Sequence, residues 1–162
     1  MDNEIEEIEQ FSIVLPLPPP KGHTHLRGQY ATYPTKAYKD WLTLARERVE
    51  RVDGVDCRVW PLPDCGQMPA PMSGYVDVFI EVTLGPRQKD AHNYVAPILD
   101  LLGGARISDN GRVVHDAPIV YRDDSQVASL HVVLQGTRHP DPFARVGVNR
   151  HAALVVDWKK RK

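Results

Sequence analysis

Apolar and polar positions alternate in distinct rhythms along this chain, and the rhythms mark out its elements. Phe11 to Leu15 is a short apolar run of strand type. Pro16, Pro18, Pro19 and Pro20 stop it, because proline fixes φ, lacks an N–H and forces an extended segment. Thr35 can cap a helix, and Tyr38, Trp41, Leu42, Ala45, Val49 and Val52 then recur at helical spacing. Lys39, Asp40, Arg46, Glu47 and Glu50 fill the opposite face, which makes this the clearest helix. Residues 75–84 switch to a period of two. Val76, Val78, Ile80, Val82 and Leu84 face one way, Asp77, Glu81 and Thr83 the other, predicting a strand with one buried face.

Gly85-Pro86 ends that strand and Arg87 to Asp90 forms a charged turn. A second helix follows to about Leu102, with Tyr94, Val95, Ile98, Leu99, Leu101 and Leu102 as its apolar side. Pro97 requires it to start near Asn93 or to kink. Gly103-Gly104 terminates it. Asp109-Asn110-Gly111 is a hairpin-turn signal ahead of Val113-Val114. Ile119 to Tyr121 and Val127 to Gln135 are further strand candidates. Residues 1–10 read as an acidic flexible arm, 53–74 as a proline-rich loop insertion, and 137–162 as an extension with a basic tail, apolar only over Ala152 to Trp158. The order predicts one small α/β (α+β) domain over residues 11–136: a small mixed sheet packed with two main helices.

Composition narrows the function classes. The 162 residues are 42% hydrophobic and 25% charged, as in an ordinary soluble domain large enough to bury a core. No apolar run approaches the ~20 residues that span a bilayer, and the acidic N-terminus is unlike a signal peptide, so a cytoplasmic protein without a membrane partner is expected. Cys57 and Cys65 are then expected to be reduced thiols, and no Cys/His spacing suggests structural zinc. Net charge is −1, but Asp2, Glu4, Glu6, Glu7 and Glu9 crowd the first nine residues. Without those five, sixteen acidic residues face 20 basic ones, so the body is basic enough for phosphate contacts.

Candidate chemistry concentrates between Val76 and Val114. A strand delivers the turn Arg87-Gln88-Lys89-Asp90-Ala91-His92-Asn93, a helix leads away, and Ser108-Asp109-Asn110 follows. Carboxylates on two such turns can meet at one rim of a sheet, where they suit hard cations such as Mg²⁺. Such a cation activates water and neutralises charge on a phosphodiester. Arg87 and Lys89 stand ready for flanking phosphates.

Several segments in order resemble the RusA family of Holliday junction resolvases. They are Leu15-Pro16-Leu17-Pro18-Pro19, the helical Ala37-Tyr38-Lys39-Asp40, the basic-acidic run Arg87 to Asn93, Asp100 ten residues after Asp90, then Asp109-Asn110 and Val113-Val114. The resemblance covers roughly residues 11–136. It implies a homodimeric, Mg²⁺- or Mn²⁺-dependent endonuclease that nicks four-way DNA junctions in recombination and repair, of bacterial, phage or prophage origin. A junction offers two equivalent strands, which suits a two-fold protein. Asp90, His92 and Asp109 would be catalytic and metal-binding, with Asn93, Asp100 and Asn110 supporting, and Lys21, Arg27, Arg87 and Lys89 on DNA. Three positions depart from the family pattern: His92 replaces an Asp, Ala96 a Lys, and Asn110 the second acid of a downstream pair. Imidazole favours Mn²⁺ or Zn²⁺ over Mg²⁺. The departures motivate a second reading, a RusA-like protein that binds branched DNA or a protein partner without cutting. A third takes the acidic arm as a DNA mimic in a protein-interaction module.

Each site residue also has a simpler reading. Asp90 can cap the second helix, His92 can be an exposed imidazole, and Asp109-Asn110-Gly111 can be only a turn. Asp100 can be solvated or a partner to a ligand. His23 and His25 fit a solvated loop better than a metal site, because no third ligand stands nearby. Tyr38 and Trp41 belong to core or dimer interface, whereas Tyr30 and Tyr33 can stack on DNA or anchor their loop.

Overall fold

The computed structural model describes residues 10–28, 32–52, 64–66, 71 and 73–151. The acidic arm, Tyr30, Cys57 and the Ala152–Trp158 stretch with its basic tail lie outside the described residues. Strand β1 (Gln10–Pro16) buries Phe11, Ile13 and Leu15, the alternate positions of its apolar run. The basic segment expected as a loop instead holds a small antiparallel hairpin, β2 (His25–Arg27) with β3 (Thr32–Pro34). Helix α1 (Lys36–Val52) begins after Thr35, whose hydroxyl accepts the Tyr38 N–H at 3.2 Å. All six of its predicted apolar positions are buried.

The expected insertion at 53–74 contributes a sheet strand, because β4 (Cys65–Gly66) pairs with β1. Asp64 fixes it there: its carboxylate accepts the Val14 N–H at 2.6 Å and pairs with Arg48 at 2.6 Å. Cys65 is disulfide-bonded, which corrects the expectation of a reduced thiol at that position.

Strand β5 (Val76–Thr83) follows, and then a 3-10 turn, Ala91–Tyr94, runs into α2 (Val95–Gly103). Pro97 is the third residue of α2, where a missing N–H costs nothing, so no kink is needed. Strands β6 (Ala105–Ile107) and β7 (Val113–His115) form a separate hairpin around the predicted Asn-Gly turn, with Gly111 at φ 79°. Ile119 to Tyr121 is not a strand. It is a buried coil whose Ile119 and Val120 N–H groups both donate to the Leu102 carbonyl. Strands β8 (Val127–Leu134) and β9 (Phe143–Arg150) complete the fold.

The main sheet has the order β4-β1-β9-β5-β8. Strand β8 runs parallel to β5, and every other pair is antiparallel, so the sheet is mixed and the class is α+β. Strand β9 stands at its centre, bonded to β1 on one side and β5 on the other, with Ala144, Val146 and Val148 buried. The region expected as an extension from residue 137 therefore holds the central strand of the domain. Both helices share one core with the inner face of the sheet, while Asp77, Phe79, Glu81, Arg145 and Asn149 occupy the outer face. Among the described residues, no helix is long and apolar enough to cross a membrane.

Candidate functional site

Asp90 is the one non-glycine residue with positive φ among those described, at φ 58° and ψ 77°. Asp tolerates this left-handed region better than most residues, yet holding it there still costs free energy. Its backbone carbonyl accepts the Asn93 N–H at 3.0 Å, but its carboxylate makes no capping hydrogen bond. The capping role open to it from sequence is therefore not the one it plays. Asp90 and His92 are both exposed. The turn is tied to the proline-rich loop after β1, because the Lys21 N–H donates to the Asn93 carbonyl at 2.7 Å. Lys21 thus joins Arg87, Lys89, Asp90, His92 and Asn93 in one neighbourhood at the C-terminal end of β5. Arg138 braces the same turn by donating to the Gly85 and Gln88 carbonyls.

Asp109 and Asn110 lie in the tip of the β6–β7 hairpin, both exposed. The Asn110 side chain is spent on the turn, bonded to the Ser108 hydroxyl and to the Arg112 N–H at 3.3 Å. The hairpin is pinned to α1 by Arg46, whose guanidinium donates to the Ala105 carbonyl at 3.1 Å and the Ala117 carbonyl at 3.2 Å. Across its strands, Arg106 forks onto Asp116, which holds the Asp116 carboxyl below the usual carboxylate range. Among the described residues, no three His, Cys, Asp or Glu side chains lie close enough to hold a metal ion together. Asp90, His92 and Asp109 therefore do not form the three-ligand cluster expected from sequence.

A second group of acids stands at the opposite end of the parallel β5–β8 pair. Asp123 and Asp124 directly precede β8, which belongs to the main sheet. The short 3-10 turn that carries Asp124 is closed by a capping box. The Asp123 carboxylate accepts the Ser125 N–H at 2.9 Å, and the Gln126 side-chain carbonyl accepts the Asp123 N–H at 3.2 Å. Gln126 is only 1% exposed, and its amide also donates to the Gly74 carbonyl at 2.9 Å, which locks the turn to the start of β5. Asp124 lies near Asp100 on α2. Partial burial, helped by the like charge of Asp124 and opposed by the nearby His115 and His25, holds the Asp100 carboxyl above the usual range. Tyr38 completes this wall: its ring lies 5.4 Å from that of His25, and burial with Asp100 nearby raises its phenol to about 12.

Sequence reading took the strand after residue 127 but passed over the acids before it. The signal was present as two adjacent carboxylates, Asp123-Asp124, just ahead of the apolar run from Val127. Arg27, the remaining predicted DNA contact, is exposed on β2. A separate cavity of about 280 Å³ on the outer face of the sheet is lined by Glu81, Thr83, Gln135, Arg138 and Arg145 among others, and contains none of the predicted site residues. No protein-family model matches the chain, and no curated protein matches it.

Proposed function

We propose that this protein is a RusA-like, metal-dependent endonuclease that nicks branched DNA as a homodimer in recombination or repair. The observation that carries this reading is Asp90: a carboxylate held in strained left-handed backbone, exposed, unspent on helix capping, on one turn with the exposed Arg87 and Lys89, to which Lys21 is tied through the Asn93 carbonyl. Strain of this kind persists where the surrounding structure imposes it, commonly at functional sites. The chemistry of the donors on that turn suits a divalent cation, with Asp90 offering carboxylate oxygens and His92 an imidazole, a pair that favours Mn²⁺ alongside Mg²⁺. A bound cation supplies a more acidic water and neutralises charge on the phosphate. The chain's own part is to hold DNA: Lys21, Arg27, Arg87 and Lys89 bind phosphates, and Asn93 orients the Asp90 turn.

The test is cleavage of a synthetic four-way junction with Mg²⁺ or Mn²⁺. The expected result is paired nicks, with Asp90→Asn lowering the rate by about 100-fold or more. Asp109→Asn should retain the wild-type rate, because its turn accounts for it; loss of activity there would return the second acid to the hairpin. Absence of nicking with either metal from mildly acid to alkaline pH sinks the nuclease reading. His92 and Ala96, standing where the family pattern has Asp and Lys, favour one second reading, a protein that binds branched DNA without cutting. Junction binding without nicks is its signature.

A further inference from the structure

Strand β8 closes one side of the main sheet, and among the described residues its one paired strand is β5. One row of its backbone N–H and C=O groups is therefore left over along eight residues, Val-Ala-Ser-Leu-His-Val-Val-Leu. Edges of this kind are normally blunted by Lys, Pro, inward charges or bulges, because they template pairing with another chain. This one contains no Asp, Glu, Lys, Arg or Pro. Its inner-face side chains are also uncovered: Leu130 is 41% exposed, Val132 39% and Leu134 54%, although each continues the apolar row of β5 that is fully buried. Val133 and the neighbouring Phe79 add apolar surface on the outer face.

We infer that the β8 edge is the surface on which a second copy of this chain docks, strand against strand and antiparallel about a two-fold axis at Val132. Three features select a second copy. First, the row is self-complementary. With Val132 on the axis, Leu130 of each copy faces Leu134 of the other, and the period of two keeps all six side chains on the inner face. Second, the strand carries no formal charge that would repel its own image. Third, its two ends carry opposite charges: Asp124 precedes it and Arg138 follows it, and antiparallel pairing about Val132 brings these two diagonally together across the seam. Asp141 lies further along the same basic end. An isologous contact of this form closes at two subunits, so it completes an edge without growing a fibre. The inference deepens the dimer proposed above and is independent of the nuclease chemistry.

Sedimentation velocity on the full chain tests it. The wild type should sediment at twice the chain mass. Val132→Lys and Leu130→Lys should sediment as folded monomers, with the dimer dissociation constant raised by ~100-fold or more, since each places two charges against an apolar seam. Cross-linking decides the register independently of whether those variants fold. Cys65 is disulfide-bonded and no free cysteine is present among the described residues, so an added thiol reports on the seam. Val132→Cys should form a covalent dimer under mild oxidation, and Ala128→Cys, four residues from the axis, should not. A monomeric wild type overturns both this surface and the dimer, leaving the cleavage assay to decide the nuclease reading. A dimeric wild type in which Val132→Cys fails to cross-link, or Ala128→Cys cross-links instead, overturns the surface alone.

Discussion

Asp100 shows how one carboxyl reports on its surroundings. It sits in the last turn of α2, where partial burial disfavours its charged form and Asp124 adds a like charge. Its folded carboxyl is therefore raised above the unfolded value. A folded state that holds this proton more tightly enjoys the full benefit below the unfolded range, about pH 3.9, and loses it as pH rises through the raised value. Asp100→Asn should consequently stabilise the protein at neutral pH and have little effect at acid pH. Urea denaturation midpoints across that range measure this. A neutral-pH midpoint lower than wild type would show that the His25 and His115 attractions outweigh burial and repulsion. The same residue scale explains why Asp90 was ambiguous in sequence. An Asp before a helix is most simply a cap, and only the φ of 58° and the missing capping bond separate it from one.

At the scale of elements, the joint between α2 and the β6–β7 hairpin is the most constrained. Gly104 closes the helix at φ 121°, and a Cβ there would lie 2.9 Å from the backbone nitrogen of Pro118. Gly104→Ala therefore meets both the backbone penalty and a rigid obstacle, and should cost about 2 kcal/mol or more. Chemical denaturation should show this as a lower midpoint with an unchanged slope. The helix stop itself was legible from the Gly-Gly pair. The strand β6 was not, since three residues, Ala-Arg-Ile, carry too little periodicity to be recognised alone. Gln126 was equally hidden: its side-chain oxygen closes its own turn while its amide reaches the Gly74 carbonyl, 52 residues away, and a buried amide leaves no mark on a hydropathy pattern.

At the scale of the whole molecule, the exposed cations at Lys21, Arg27, Arg87 and Lys89 predict an electrostatic mode of DNA binding. Junction affinity should fall by a factor of about 100 or more between 50 and 200 mM monovalent salt if most of these contacts are made. A fluorescence-anisotropy titration at several salt concentrations measures the slope. A slope near zero would remove phosphate contact as the basis of binding.

Local pattern was enough to place α1, β1, β5, α2, the Asn-Gly hairpin turn and β8, because helix and strand periods are set by neighbours three, four or two residues away. It also marked the basic turn around Asp90. Long-range pairing decided the rest. Strand β9 alternates Ala144, Val146 and Val148 with Arg145 and Asn149, but Gly147 and the flanking prolines Pro140 and Pro142 disguise it as an extension. Its central place comes from backbone bonds to β1 and β5, more than 60 residues upstream. The exposure of β8 is likewise invisible along the chain, since alternating apolar residues look the same whether a helix covers them or not. That Asp100 stands with Asp124 depends on how α2 packs against the turn before β8, and that is a property of three-dimensional contacts alone.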